Sequence, residues 1–270
     1  VVHHHGLFVP AFDTLADPAL LAHLAAQAEA AGWDGMFLWD HLLYADPVVE
    51  ILDPWICLAA MAVATERIRL GPMVTPLSRR RPAVVARQAV TLDLLAQGRL
   101  ILGFGLGDDG RTREMSRLGE EADPMVRAGQ LDEGLEVLEA LLSGVTVDHH
   151  GPHYVADGVS FRPPAPRSGK IPIWIGARWP NRAPLRRAAR HDGVFAIQVG
   201  TPEALVRLRQ VVTDAGARRD GFDVVVQGAP EDDPAPWEEA GATWWLTQLG
   251  PYHLELSEVG AVIQAGPRRG

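Results

Sequence analysis

A single cysteine, Cys57, in a chain of 270 residues excludes a disulfide framework and any zinc site built on cysteine pairs, and makes a reducing compartment the default. Lysine is equally scarce: Lys170 is the only one, so a Schiff-base lysine has one candidate position and arginine must supply any phosphate-binding cation. Positive charge is outnumbered, with 25 Lys and Arg against 34 Asp and Glu and a net charge of −9. That balance argues against nucleic acid or an anionic membrane surface as a general partner. No apolar run approaches the roughly 20 residues of a membrane span, and no signal-peptide pattern opens the sequence, so a cytoplasmic protein is expected. Internal repeats, low-complexity tracts and composition breaks are also missing, which leaves residues 1–270 as one domain.

What is present is an ordinary globular balance, 47% hydrophobic and 22% charged, with length enough for a large core. Asp17-Pro18, Asp53-Pro54, Asp123-Pro124 and Thr201-Pro202 each pair an N-cap acceptor with a proline whose missing N–H costs nothing at a first helical position. A helical pattern follows each. Leu20, Leu24, Ala28 and Ala31 form one apolar stripe ended by Gly32; Val85, Ala89, Leu92 and Ala96 form another, opened by Pro82 and ended by Gly98; Leu131, Leu135, Leu138 and Leu142 precede Gly144. Between such patterns lie short apolar runs at 6–12, 35–39, 68–75, 99–104, 171–175, 193–197, 222–227 and 243–249. Eight strand and helix-length pairs predict an α/β fold, the (β/α)8 TIM barrel. The rhythm breaks after the fourth helix, where β-type residues and turn glycines Gly151 and Gly158 predict a small hairpin over 145–161, followed by a proline-rich connection. The C-terminal part is shortened, and a final helix over 252–264 has the weakest pattern. His3, His4 and His5 read as a tag remnant or frayed terminus rather than a metal site.

A barrel of this kind places its chemistry at the C-terminal strand ends. That rule selects Phe12 and Asp13; Asp40, His41 and Tyr44; residues 75–81, 105–111 and 176–182; Gln198; residues 227–229; and Gln248. His41 can serve there as acid, base or hydrogen-bond donor, or can simply bond its own loop; position alone does not separate the two. The glycines of 103–110 invite a dinucleotide fingerprint, but that motif belongs to a first strand running straight into a helix. Exposed backbone at a barrel mouth fits better. In residues 176–182, Asn181 reads as the N-cap of a helix whose free N–H groups face the mouth beside Arg178 and Arg182, which makes an anion site; the alternative is a capped helix with two solvated arginines. Pro72 predicts a bulge near Met73. His149, His150 and His153 fit a solvated hairpin better than a metal site, and most tryptophans fit the core.

Residues 82–107, with Gly98-Arg99-Leu100 leading into Leu102-Gly103-Phe104-Gly105-Leu106-Gly107, resemble the bacterial luciferase-like family of flavin and deazaflavin oxidoreductases. Similar stretches are Ala31-Gly32-Trp33-Asp34-Gly35 leading to Trp39-Asp40-His41, Leu131-Asp132-Glu133-Gly134-Leu135, Pro172-Ile173-Trp174-Ile175-Gly176 and Ala188-Ala189-Arg190-His191-Asp192-Gly193. The resemblance implies FMN or coenzyme F-420 across the mouth, with His41 near the ring and taking part in catalysis. It further implies a non-prolyl cis peptide at Met73-Val74 under the ring, Gly105 and Gly107 flanking the cofactor, and its phosphate on Gly176, Ala177, Arg178, Asn181 and Arg182. The strand-end rule adds Asp40, Thr75 and Gln198 to the candidate cofactor contacts; no metal site is expected. The implied activity is flavin-dependent monooxygenation or deazaflavin-dependent hydride transfer on a small organic substrate, with a separate flavin reductase and a homodimer as partners to test. Pro72 and the short C-terminal part favour the alternative, a non-catalytic flavin-binding barrel. A metal-dependent barrel hydrolase is a third option, without convincing ligands beside Asp40 and His41.

Overall fold

Proline-capped helices alternate with buried strands around a barrel in the computed structural model, which describes residues 3–110, 112–166, 169–217 and 220–268. The strands are β1 (His4–Val9), β2 (Gly35–Leu38), β3 (Arg69–Pro72), β4 (Thr75–Pro76), β5 (Leu102–Gly105), β6 (Val147–His150), β7 (Val155–Val159), β8 (Ile173–Arg178), β9 (Gly193–Ile197), β10 (Asp223–Gly228) and β11 (Trp244–Gln248). The helices are α1 (Pro18–Ala30), α2 (Pro54–Val63), α3 (Pro82–Leu95), α4 (Glu114–Arg117), α5 (Pro124–Ser143), α6 (Arg182–Ala188), α7 (Pro202–Asp214), α8 (Ala235–Glu239) and α9 (Leu256–Ala265). Asp17, Asp53, Asp123 and Thr201 each accept a backbone N–H from the first turn of the helix they precede, as the sequence pattern demands.

The parallel sheet runs β3-β2-β1-β11-β10-β9-β8-β5-β4, while β6 and β7 form the antiparallel hairpin after the fourth helix. β3 and β4 are two halves of one stave. Pro72 pairs with Leu38, the chain passes the cis peptide Met73-Val74, and Thr75 then pairs with Phe104. A bridge between Leu70 and Leu100 closes the ring. Gly71 is required at that seam, because a Cβ there would run into the Ile101 carbonyl. Arg99 pins the lower end: its guanidinium donates to the carbonyls of Ala62, Thr65 and Ile68 and to Thr65 Oγ1 at 2.8–2.9 Å.

Two apolar layers result. The outer one, between sheet and helices, contains all twelve stripe residues named above except Leu20 and Ala31, which are only partly buried; Leu21 and Ala25 take the innermost positions on α1. The inner layer fills the barrel with Phe8, Phe37, Trp39, Met73, Trp174, Phe195 and Trp244, an aromatic filling where branched aliphatics are usual.

The ends of the chain depart from expectation. His3, His4 and His5 are not frayed: β1 begins at His4, paired with Trp244, His3 bonds the Ala242 carbonyl at 3.0 Å, and His5 is buried. Their side chains have partners in the barrel, which no local pattern reveals. The weak final helix exists as α9, and Val259 and Ile263 bury it. Among the described residues no helix is long and apolar enough to cross a membrane.

Candidate active site

The turn after β2 carries Asp40 and His41, and the stave broken at Met73-Val74 carries Thr75 and Arg79 towards it. Asp40 is buried: its carboxylate accepts from Thr75 Oγ1 at 2.6 Å, Trp55 Nε1 at 3.2 Å, Arg79 at 2.5 Å and Arg80 at 3.2 Å. Arg79 reaches on to Glu114, the first residue of α4. Glu114 then holds the His41 turn, accepting the Leu42 and Leu43 N–H groups at 2.8 and 3.2 Å and His41 Nδ1 at 3.2 Å. One buried guanidinium between two buried carboxylates thus fixes the floor beneath the imidazole, with side-chain exposures of 2% for Arg79, 0% for Asp40 and 2% for Glu114.

His41 retains 27% of its side-chain surface. Burial, reinforced by the Arg79 charge and opposed by Asp40 and Asp108, lowers its pKa to about 4. The imidazole is therefore neutral at pH 7, and with Nδ1 given to Glu114 the remaining nitrogen, Nε2, is the one left for the mouth.

Aromatic rings wall that mouth. Tyr44 lies 5.0 Å from His41 and 5.2 Å from Phe12 between ring centroids, Trp39 lies 6.1 Å from Phe12, and Tyr252, beyond β11, closes on Tyr44 at 6.0 Å. Val74, half-buried after the cis bond, packs on the inner layer with Ile197. Gly105 and Gly176 make room for it: a Cβ at 105 would sit 2.7 Å from one Val74 methyl, and one at 176 would sit 3.2 Å from the other. Trp39 Nε1 and Gln227 Oε1 are buried without a hydrogen-bond partner, a donor and an acceptor left over at the upper end of the barrel. An apolar floor, aromatic walls and spare polar atoms fit a flat heteroaromatic ring such as a flavin or deazaflavin.

The structure brings together Val74, Gly105 and Gly176, sets His41 among Phe12, Trp39, Tyr44 and Glu114 at the end of β2, and places Asp40, Met73 and Thr75 with their side chains buried. Gly107, in the left-handed region at φ 74°, packs closely on Met115 and Pro76, so its backbone lies on the loop above β5. Ala177 is buried; Gln198 is exposed at φ 59°. Arg178, Asn181 and Arg182 are exposed at the end of β8 and the start of α6. Asn181 is the N-cap residue of α6, as read from the sequence, but its side chain makes no capping bond; its N–H bonds the Arg178 carbonyl, following the cis peptide Trp179-Pro180. Arg178 pairs across the mouth with Asp108 at 3.3 Å. Arg111 lies outside the described residues.

Sequence reasoning missed Glu114 and gave Arg79 no role. The only cue to Glu114 was an acidic residue beyond a glycine-rich strand end, a cue shared with Asp108, Asp109 and Glu120. Of the hairpin histidines, His149 bonds Glu133 of α5 at 3.0 Å, the His153 N–H bonds the same carboxylate, and His150 is exposed with Asp148 and Asp157, their ligand-type atoms within 4.8 Å of one another.

A parallel barrel with an aromatic-walled mouth, a broken third stave and a histidine at the second strand end defines the class as a (β/α)8 barrel protein. The luciferase-like monooxygenase family matches residues 5–268, and the chain belongs to that family. An F420-dependent glucose-6-phosphate dehydrogenase of Nakamurella multipartita is 32% identical over 222 residues, 78% of this chain and 62% of that protein. The chain thus spans about three fifths of the length of such curated relatives. An F420-dependent secondary alcohol dehydrogenase solved with an F420-acetone adduct shares the fold over 98% of both chains, with TM-score 0.80 and 16% identity. A type II Baeyer-Villiger monooxygenase component from Pseudomonas putida, solved with FMN, superposes with TM-score 0.71 and 21% identity over 85% of this chain and 67% of that one.

Proposed function

We propose that the protein is an oxidoreductase that takes the deazaflavin F-420 in the barrel mouth and transfers hydride to or from a small organic substrate at a carbon bearing a hydroxyl or carbonyl group. The observation that carries this reading is His41, held neutral with Nδ1 on Glu114 and Nε2 left for the mouth. In the oxidative direction Nε2 takes the hydroxyl proton, and in the reductive direction it returns that proton to the carbonyl oxygen. The bound coenzyme supplies the hydride acceptor or donor. Val74, Gly105 and Gly176 would hold its ring, and Arg178, Arg182 and the backbone of 176–182 its phosphate, Arg178 leaving Asp108 to do so. Phe12, Tyr44 and Tyr252 face the substrate side with apolar surface and limit water. The similarity to F420-dependent dehydrogenases supports this choice. FMN-dependent monooxygenation is the second reading, favoured by the fold shared with an FMN-bound monooxygenase, and it alone calls for a separate flavin reductase.

Separate titrations with F-420 and FMN, followed by absorbance and fluorescence, test the cofactor. F-420 binding is expected; binding of FMN alone transfers the proposal to the second reading, and binding of neither refutes both. His41→Ala should retain coenzyme binding and lose about 10²- to 10⁴-fold in turnover. Full activity in that variant removes His41 from the mechanism, and coenzyme bound without turnover on any alcohol or ketone leaves a flavin-binding barrel. Because the base must be neutral, turnover in the oxidative direction should persist as pH falls from 8 to 5 and fail only near the lowered pKa of about 4. An acid limb near about 6.5, the value of an ordinary histidine, contradicts the environment described for His41.

A further inference from the structure

His41 has two nitrogens, and only one protonation pattern makes it useful at the mouth. A neutral imidazole carries its proton on one nitrogen, and the bond made by the other side of the ring decides which. In this chain the deciding partner is Glu114. Its carboxylate has no proton to give while it accepts Arg79 and the Leu42 and Leu43 amides, so the contact with His41 at 3.2 Å places the ring proton on Nδ1. Arg79 in turn fixes Glu114 from its other oxygen, and Asp40 fixes Arg79.

We infer that Glu114 is a positioning residue for the reaction: it selects the Nδ1–H tautomer of His41, keeping Nε2 as the proton acceptor in the mouth, with Arg79 orienting the carboxylate. The inference rests on the hydride-transfer reading for its catalytic consequence but not for the tautomer itself. A purely structural role, tethering the turn after β2, would need only the two backbone amides and would be indifferent to the ring. The distinction is measurable because the oxygen that accepts the Leu42 and Leu43 amides is also the one at His41 Nδ1: Glu114→Leu removes that acceptor, whereas Glu114→Gln can keep a neutral oxygen there.

The test is ¹⁵N–¹H NMR of histidine-labelled protein at pH 7.5, with the His41 signals assigned by their loss in His41→Asn. The wild type should show a protonated Nδ1 and an unprotonated Nε2. Glu114→Leu should move the proton to Nε2 in most molecules and lower kcat about tenfold or more, with the coenzyme Kd within about twofold of wild type. Glu114→Asp, too short to span Arg79 and the turn yet still a carboxylate, should restore part of the Nδ1–H population. A wild-type His41 protonated on Nε2 overturns the inference without any variant having to fold. So does Glu114→Leu with an unshifted tautomer, or with a shifted tautomer and unchanged kcat. If the tautomer moves as expected but His41→Ala remains fully active, the hydride-transfer role of His41 falls and the placement by Glu114 stands.

Discussion

Arg79→Met removes the guanidinium between Asp40 and Glu114 while leaving an apolar stem of similar length in its place. Both carboxylates are buried and cannot recover by turning to water. Loss of one partner from a buried ion pair costs about 3–5 kcal/mol, because the charge left behind is uncompensated. Part of that cost is offset here: Arg80 still reaches Asp40 at 3.2 Å, Thr75 and Trp55 still donate to it, and Glu114 keeps the Leu42 and Leu43 amides. The expected loss is therefore at the low end, about 3 kcal/mol, which for a protein of this size lowers Tm by roughly 6–12 °C. Thermal and urea unfolding of wild type and variant measure it. A carboxylate that is buried without its partner titrates higher folded than unfolded, so its penalty is present above the folded value and fades as pH falls. The gap between variant and wild type should accordingly be wide at pH 7.5 and narrow towards pH 4.5. Adding Asp40→Asn and Glu114→Gln should recover most of the lost stability, since the three charges then leave together. A Tm change under about 2 °C, or a loss independent of pH, would refute the hub as drawn.

Two further outcomes concern the mouth. Gly105→Ala should weaken coenzyme binding about fivefold or more, since its Cβ falls 2.7 Å from a Val74 methyl, and Val74→Ala on that background should restore affinity; isothermal titration of both, with the double variant, checks the coupling. Asp108→Asn releases Arg178 from an ion pair that is about half exposed, so F-420 should bind about two- to fivefold tighter at low ionic strength, with the gain fading as salt screens it and Tm nearly unchanged. Weaker binding in Asp108→Asn would place the phosphate away from Arg178.

The staves and their helices were legible because local signals agree with the tertiary arrangement. An Asp-Pro or Thr-Pro pair states where a helix begins, a glycine where it ends, and an apolar run of a few residues needs a cover on both faces. Pro72 pointed to the broken third stave for the same reason: a proline cannot serve the ladder of a central strand, and β3 does end there. The first histidines failed for the converse reason. Nothing local marks His4 as a strand residue; the edge of β11 and the ring of Trp244, stacked on it at 4.7 Å, recruit it from the far end of the chain.

The same logic explains why the glycines and histidine of the mouth stood out while the machinery beneath them did not. Gly105 and Gly176 follow strands that periodicity identifies, and His41 follows another, so strand-end position alone draws attention to them. Glu114 sits on a four-residue helix entered through Arg113 in the left-handed region, with no apolar period, and the amides of its first turn are taken by Asp109 and Thr112 rather than by the residue at the cap position. Its importance comes from three backbone-distant partners, Arg79, His41 and the amides after His41, which meet only when the β2, β4 and β5 ends are brought side by side. A buried charge network of this kind has no sequence period, because each member is specified by the others rather than by its neighbours in the chain. It follows that exchanging charges within the network should be tolerated only in concert. In particular, Asp40→Asn alone should disturb His41 through Arg79 and Glu114, although Asp40 does not itself bond the imidazole, and the His41 tautomer should register that loss before coenzyme affinity does.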